Sequence, residues 1–330
     1  MAAATRHHAR GMREPAEVYR RRRRNALGVL AAGSLVAGVA VGWVVNGGHG
    51  ATRARALLPP AAAAPPRPAP TQLPGGGRTI FPHHRVVAFY GAPQDPQLGA
   101  LGIGSPDQAA RRLLAQARPY GRKTRPVLPA MELIVTVAAA DAGTDGLYRT
   151  RQSDAVVGRY LRAARRIRAL LVLDIQPGHA RFIDEARHLD KWLRLPDVGL
   201  ALDPEWHTPG QVPGRVIGSV GAAEINTVAR HVARIVRERN LPEKLFVVHQ
   251  FTPDMIQGKA AVIHPAGLAM TMNVDGFGDR ANKVAKYREF TRDGTHFDDG
   301  LKLFYQEDTG LMQPSSVLTL TPPPDLIVYE

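Results

Sequence analysis

The run VGLALDPEWH, Val198–His207, is apolar until it ends in two carboxylates, a proline, a tryptophan and a histidine. Similar endings recur along the chain. LLVLDIQ closes on Asp174 and Gln176, KLFVVHQF on His249 and Gln250, and LAMTMNVD carries Thr271, Asn273 and Asp275. LKLFYQED ends in Gln306, Glu307 and Asp308, and RVVAFYG ends with Tyr90 before its glycine. Carboxyl groups buried near one another are driven to different pKa values, some raised and some left ionised. That is the condition for general acid/base work, for instance on a glycosidic bond.

Such chemistry requires elements that bring these endings together. Eight short apolar runs occupy residues 85–91, 131–138, 170–176, 198–205, 244–251, 268–275, 301–308 and 325–330. They are rich in β-branched and aliphatic residues without alternation, as parallel strands buried on both faces should be. Between them lie helix candidates, SPDQAARRLLAQARPYG, SDAVVGRYLRAARRIRAL, IDEARHLDKWLRL, GAAEINTVARHVARIVRERN and DRANKVAKYREFTRDG, several opening on a capping Ser or Asp. Repeated βα units over about 250 residues predict an α/β fold, a (β/α)8 TIM barrel spanning residues 81–330. An open doubly wound sheet fits less well, because FYGAPQDPQLGALGIG after the first strand has the wrong glycine spacing for a dinucleotide loop. The eighth run is followed by no helix in this sequence, so the expectation is that another segment, such as the one before strand one, shields that seam.

In such a barrel the C-terminal strand ends form the site, and alternation predicts that Asp203 shares a face with Glu205, Asp174 with Gln176, and Asn273 with Asp275. Glu205, Asp203, Asp174 and Asp275 are therefore the expected catalytic group. Tyr90, Gln176, Trp206, His249, Gln250, Asn273, Gln306 and Glu307 are the expected substrate contacts. Several have a plainer alternative, Glu205 least of all, since no helix starts until about Val220. Asp203 and Asp174 could be caps, Asp275 a turn residue, Glu307 with Asp308 a solvated pair, and Tyr90 and Trp206 packing residues.

The front of the chain is organised differently. Of the net charge of +14, residues 1–25 carry +6 and residues 46–80 carry +4. The remaining +4 is ordinary for a body of this size, so the charge points to targeting, and nucleic acid is not an expected partner. After the basic arm 1–25 comes ALGVLAAGSLVAGVAVGWVV, Ala26–Val45, uncharged and long enough to cross a bilayer core of ~30 Å as a transmembrane signal-anchor helix. With the arginines cytoplasmic, the body lies outside the membrane. A cleaved signal ending near Ala54–Ala56 is the alternative, leaving a secreted body. Residues 46–80 read as a disordered Pro/Ala/Gly-rich linker. Cysteine is absent, no phosphate loop or GxSxG elbow occurs, and no two histidines show zinc-ligand spacing, so neither a cofactor nor a metal is expected.

Three stretches resemble known families. GLALDPE, Gly199–Glu205, resembles the fourth-strand Asp-Gly-x-Asp-x-Asp-x-Glu signature of family 18 glycoside hydrolases, the chitinase-like barrels, with Gly199, Asp203 and Glu205 matching and Val198 and Ala201 departing. The resemblance implies that Glu205 is the proton donor and that Asp203 supports it. MTMNVD is similar to that family's sixth-strand run through Met270, but Met272 and Asn273 replace the expected Tyr and Asp, and the third-strand Ser-x-Gly-Gly run has no counterpart. HFDDG, His296–Gly300, resembles the metal motif of polysaccharide deacetylases, yet that motif needs a hydrophobic strand before its aspartates, and here the strand follows them. The expectation is a membrane-anchored, extracytoplasmic, glycoside hydrolase-like barrel acting on cell-envelope or environmental glycans. The alternative is a non-catalytic cell-surface barrel that binds glycan or protein.

Overall fold

The computed structural model describes residues 71–330. The basic arm, the apolar span and residues 46–70 of the spacer lie outside the described residues. Among the described residues no helix is long and apolar enough to cross a membrane.

All eight apolar runs form strands: β1 (Arg85–Gly91), β2 (Val127–Ala138), β3 (Leu170–Ile175), β4 (Val198–Leu202), β5 (Lys244–Gln250), β6 (Leu268–Val274), β7 (Asp298–Leu303) and β8 (Leu326–Tyr329). Each pairs in parallel with the next, and β8 pairs in parallel with β1, Val86 opposite Leu326 and Phe89 opposite Tyr329, so the sheet closes on itself. The intervening helices are α1 (Pro106–Ala117), α2 (Asp154–Arg166), α3 (Phe182–His188), α4 (Asp190–Leu193), α5 (Ala222–Arg239), α6 (Arg280–Thr291) and α7 (Pro314–Val317). The result is a (β/α)8 barrel of the TIM type.

Local signals explain the helix boundaries. Ser105 and Gln108 form a reciprocal capping box on α1, Ser153 and Asp279 cap α2 and α6, and α5 ends where Asn240 takes a left-handed conformation. IDEARHLDKWLRL, predicted as one helix, divides at Leu189 into α3 and α4. The seventh strand is displaced from its predicted range: it runs 298–303 rather than 301–308, starting on Asp298 opposite Thr271. Gln306, Glu307 and Asp308 consequently fall in the loop beyond β7.

Alternation divides the core into two shells. Val87, Phe89, Met131, Leu171, Leu200, Phe246, Met270 and Ile327 face outward against the helices, whereas Val86, Ala88, Leu128, Ala130, Leu170, Val172, Ala201, Leu245, Val247, Ala269 and Val328 fill the barrel. Residues 71–80 do not behave as the linker that their composition suggests. Leu73 and Ile80 are buried with the inner shell, and Arg78 donates to the Leu241 carbonyl at 2.8 Å, so this segment closes the N-terminal end of the barrel. The β8–β1 seam is covered instead by aromatics from the neighbouring connections. Tyr305 stacks on Tyr329 at 5.3 Å, Phe89 meets both rings edge-on, and the Tyr120 hydroxyl lies 2.6 Å from that of Tyr329.

Candidate active site

Read in inward-facing steps, the strands pass from small or apolar residues to a polar one toward their C-terminal ends. Val86–Ala88–Tyr90, Leu128–Ala130–Glu132, Leu170–Val172–Asp174 and Leu245–Val247–His249 follow this pattern within single strands. Gly199–Ala201–Asp203, Ala269–Thr271–Asn273, Gly300–Lys302 and Leu326–Val328–Glu330 complete it, while β2 runs on past Glu132 to the inner-shell Ile134. Gly199 has no room for a side chain, because a Cβ there would sit 2.6 Å from the Leu245 carbonyl oxygen of the neighbouring strand. The polar layer therefore sits on an apolar floor at the C-terminal end of the barrel, where sites of this fold occur.

His249, fully buried on β5, is the centre of that layer. Its Nδ1 is 3.0 Å from Asp275 Oδ2, and its Nε2 is 3.0 Å from Glu132 Oε1 and 3.9 Å from Asp174 Oδ1. Asn273 Nδ2 approaches Nδ1 at 3.3 Å. Lys302 Nζ reaches Asp275 Oδ2 at 3.1 Å and Glu330 Oε2 at 2.7 Å, and lies 3.6 Å from the centre of the Tyr90 ring. The Tyr90 hydroxyl donates to Asp174 Oδ2 at 3.3 Å and accepts from Gln176 Nε2 at 3.0 Å.

Desolvation sets the electrostatics. Burial pushes Asp203 up to about 7, with the charges of Glu205 and Asp275 adding to the effect against the opposing His249. Burial likewise raises Asp174 well above the usual carboxylate range, although His249 draws it down. For His249 burial favours the neutral ring, but hydrogen bonds to Asp275 and Glu132 outweigh it and hold the imidazole well above its ordinary value. Burial and the neighbouring Asp174 raise the Tyr90 phenol.

Of the residues expected from sequence, Asp174, Asp203, Asp275, Tyr90, Gln176, His249 and Asn273 come together in this layer. The expected shared face of Asp203 and Glu205 does not survive Pro204. That residue opens a 3-10 turn, Pro204–Trp206, which ends the strand alternation, and Asp203 Oδ1 accepts the Glu205 N–H at 3.2 Å. Asp203 is thus a cap as well as a buried acid. Glu205 and Trp206 are half-buried on the turn beyond β4, with Glu205 near enough for its charge to act on Asp203. Gln250, one residue from His249 and so on the opposite face of β5, donates to the Thr252 carbonyl at 3.2 Å and is separate from the layer. Gln306 is exposed and Glu307 half-buried in the loop after β7, because the strand ends at Leu303. Asp308 ties that loop down, accepting from Gly278 N–H and Phe304 N–H and pairing with Lys283 at 3.0 Å.

Neighbouring connections hold the rim. Gly178, at φ +61°, turns the chain after β3 where a Cβ would lie 2.4 Å from the Leu147 carbonyl oxygen. Its own carbonyl accepts the Thr208 N–H at 3.0 Å, linking the β3 and β4 rims. The hairpin strand Arg149–Arg151 runs antiparallel to the end of β2, and both its arginines bind Glu185 of α3, at 2.9 and 2.7 Å.

Glu132, Lys302 and Glu330 were missed by sequence reasoning. Each is a lone charge in or directly after an apolar run, and a single charge in a strand buried on both faces is the available signal that one face meets polar groups. The Asp298–Asp299 pair of HFDDG lies at the start of β7, at the opposite end of the barrel from His249, and Asp299 N–H donates to Asp325 at 3.2 Å. That placement removes it from the site. The chain matches no known protein family and no curated protein. Fold and polar layer together define the class, a TIM-type barrel with a buried acid–histidine–lysine cluster at its C-terminal end.

Proposed function

We propose that this chain is an extracytoplasmic, glycoside hydrolase-like enzyme that cleaves cell-envelope or environmental glycans by carboxylate general acid/base catalysis. The observation that carries the reading is the pair at the end of β4. Asp203 is a carboxyl whose pKa burial raises to about 7, and Glu205 sits beside it on a half-exposed turn. A carboxyl that remains partly protonated at neutral pH can exchange a proton with its neighbour, and the more accessible group can reach a glycosidic oxygen.

In this reading Glu205 touches the substrate as general acid and Asp203 supports its protonation. The strand-four resemblance to family 18 glycoside hydrolases favours the same division of roles. Trp206, on the same turn, offers a ring for sugar stacking. Asp174 or Asp275 would supply the second carboxyl group. The apolar span at residues 26–45 is proposed to tether this body outside the cell, with the Pro/Ala-rich stretch as spacer.

A panel of envelope and plant or fungal polysaccharides, assayed for reducing ends and for binding, tests the proposal. Release of reducing ends from one glycan class supports it. Tight binding of a glycan without any cleavage would replace it with the non-catalytic surface-binding alternative.

A further inference from the structure

We propose that Glu132, Asp174 and His249 hold a divalent first-row transition-metal ion inside the barrel. Their donor atoms come from β2, β3 and β5, and one oxygen or nitrogen from each lies within 4.8 Å of the others. The separations of Nε2 from Glu132 Oε1 and Asp174 Oδ1, 3.0 and 3.9 Å, are the edges of a small coordination shell. An ion with bonds of about 2.0–2.2 Å spaces adjacent ligands by roughly 3–3.5 Å, so only Asp174 need approach slightly.

Two further observations point to a ligand here. Asp174 Oδ1 is buried and has no hydrogen-bond partner, whereas its Oδ2 accepts from Tyr90. A buried carboxylate oxygen without a donor is costly unless a cation meets it. The second observation is the arrangement behind the imidazole. His249 directs Nδ1 to Asp275, which Lys302 holds in turn at 3.1 Å, so the ring is oriented from behind by a carboxylate and Nε2 is the atom presented to Glu132 and Asp174. Metal-binding histidines are oriented in this way. The ion would take the place of the proton between Nε2 and Glu132 Oε1, and that proton and the one held by Asp174 leave to solvent.

The donor set selects the ion. One imidazole with two carboxylates and no thiolate suits Zn²⁺ or Mn²⁺, whereas Ca²⁺ seeks six to eight oxygens and Mg²⁺ keeps most of its waters. Near-neighbour histidine motifs gave no hint of the site, because Glu132 and His249 are 117 residues apart and only barrel closure joins them. Asp174 and Asp275 belong to both sites, but retained metal is measured without turnover, so the metal site and the hydrolase reading can fail separately.

The test uses the full chain, stripped with chelator and then titrated separately with Zn²⁺, Mn²⁺ and Ca²⁺, with retained metal measured after desalting. One equivalent of Zn²⁺ or Mn²⁺ per chain is expected, with a raised Tm and weaker retention of Ca²⁺. Asp174→Asn and Glu132→Gln should each abolish retention with the circular dichroism unchanged. Asp275→Asn, behind the ring, should weaken binding by about 10–100-fold, and Asp299→Asn, at the far end of the barrel, should bind like wild type. Absence of retained Zn²⁺ and Mn²⁺ in the wild-type chain overturns the proposal whatever the variants do. So does unaltered affinity in whichever of Asp174→Asn and Glu132→Gln folds.

Discussion

Replacing Asp203 with Asn should change how stability depends on pH. Asn keeps the shape and can still accept the Glu205 N–H that Asp203 Oδ1 accepts at 3.2 Å, so the perturbation removes the charge alone. In the folded chain this carboxyl is raised by burial from 3.8 to about 7. A raised carboxyl favours folding in its protonated form. Its contribution is fully present below pH ~3.8 and is lost as pH rises through about 7. A difference of about 3 pH units corresponds to about 4 kcal/mol in all, of which roughly 2.5 kcal/mol falls between pH 5 and pH 8. Urea unfolding of both proteins at those two pH values measures it. Wild type should lose about 2.5 kcal/mol more than Asp203→Asn on going from pH 5 to pH 8, and subtraction cancels other groups, including Asp298 and Asp299, also raised to about 7 by burial. Parallel pH dependences would refute the reasoning, because they would mean that Asp203 is already ionised at little cost.

Three further outcomes follow from packing and charge. Lys302→Met should destabilise by about 3–5 kcal/mol in urea, because it leaves the buried Asp275 and the neighbouring Glu330 without their shared cation. Gly199→Ala should cost about 1–3 kcal/mol, since its Cβ would press on the Leu245 carbonyl oxygen at 2.6 Å, while Gly221→Ala, with open space, should stay within about 0.5 kcal/mol. Trp206→Ala should weaken glycan binding about tenfold in calorimetry, as expected for a ring at the rim.

The strands were legible because burial on both faces leaves an apolar run that little else produces. Their ends were less so. Strand seven begins on Asp298 and Asp299, polar residues that look like a loop, so shifting it by three residues moved Gln306 and Glu307 off the rim and exchanged them for the inward Lys302. Glu132 was hidden for the opposite reason: it lies inside MELIVTVA, where neighbouring aliphatics outweigh one charge. Asp174, His249, Asn273 and Asp275 were found because strand alternation continues to the ends of their strands. At Glu205 it fails, since Pro204 starts a turn that local pattern alone does not place. The closing role of residues 71–80 was masked by their Pro and Gly content, although Leu73 and Ile80 carry the contact.

The most direct measurement for the central claim compares wild type with Glu205→Gln on the glycan that the panel identifies as cleaved. In Glu205→Gln kcat should fall at least about 100-fold while binding of the intact glycan and the urea midpoint are unchanged. Turnover by Glu205→Gln equal to that of wild type would contradict that claim.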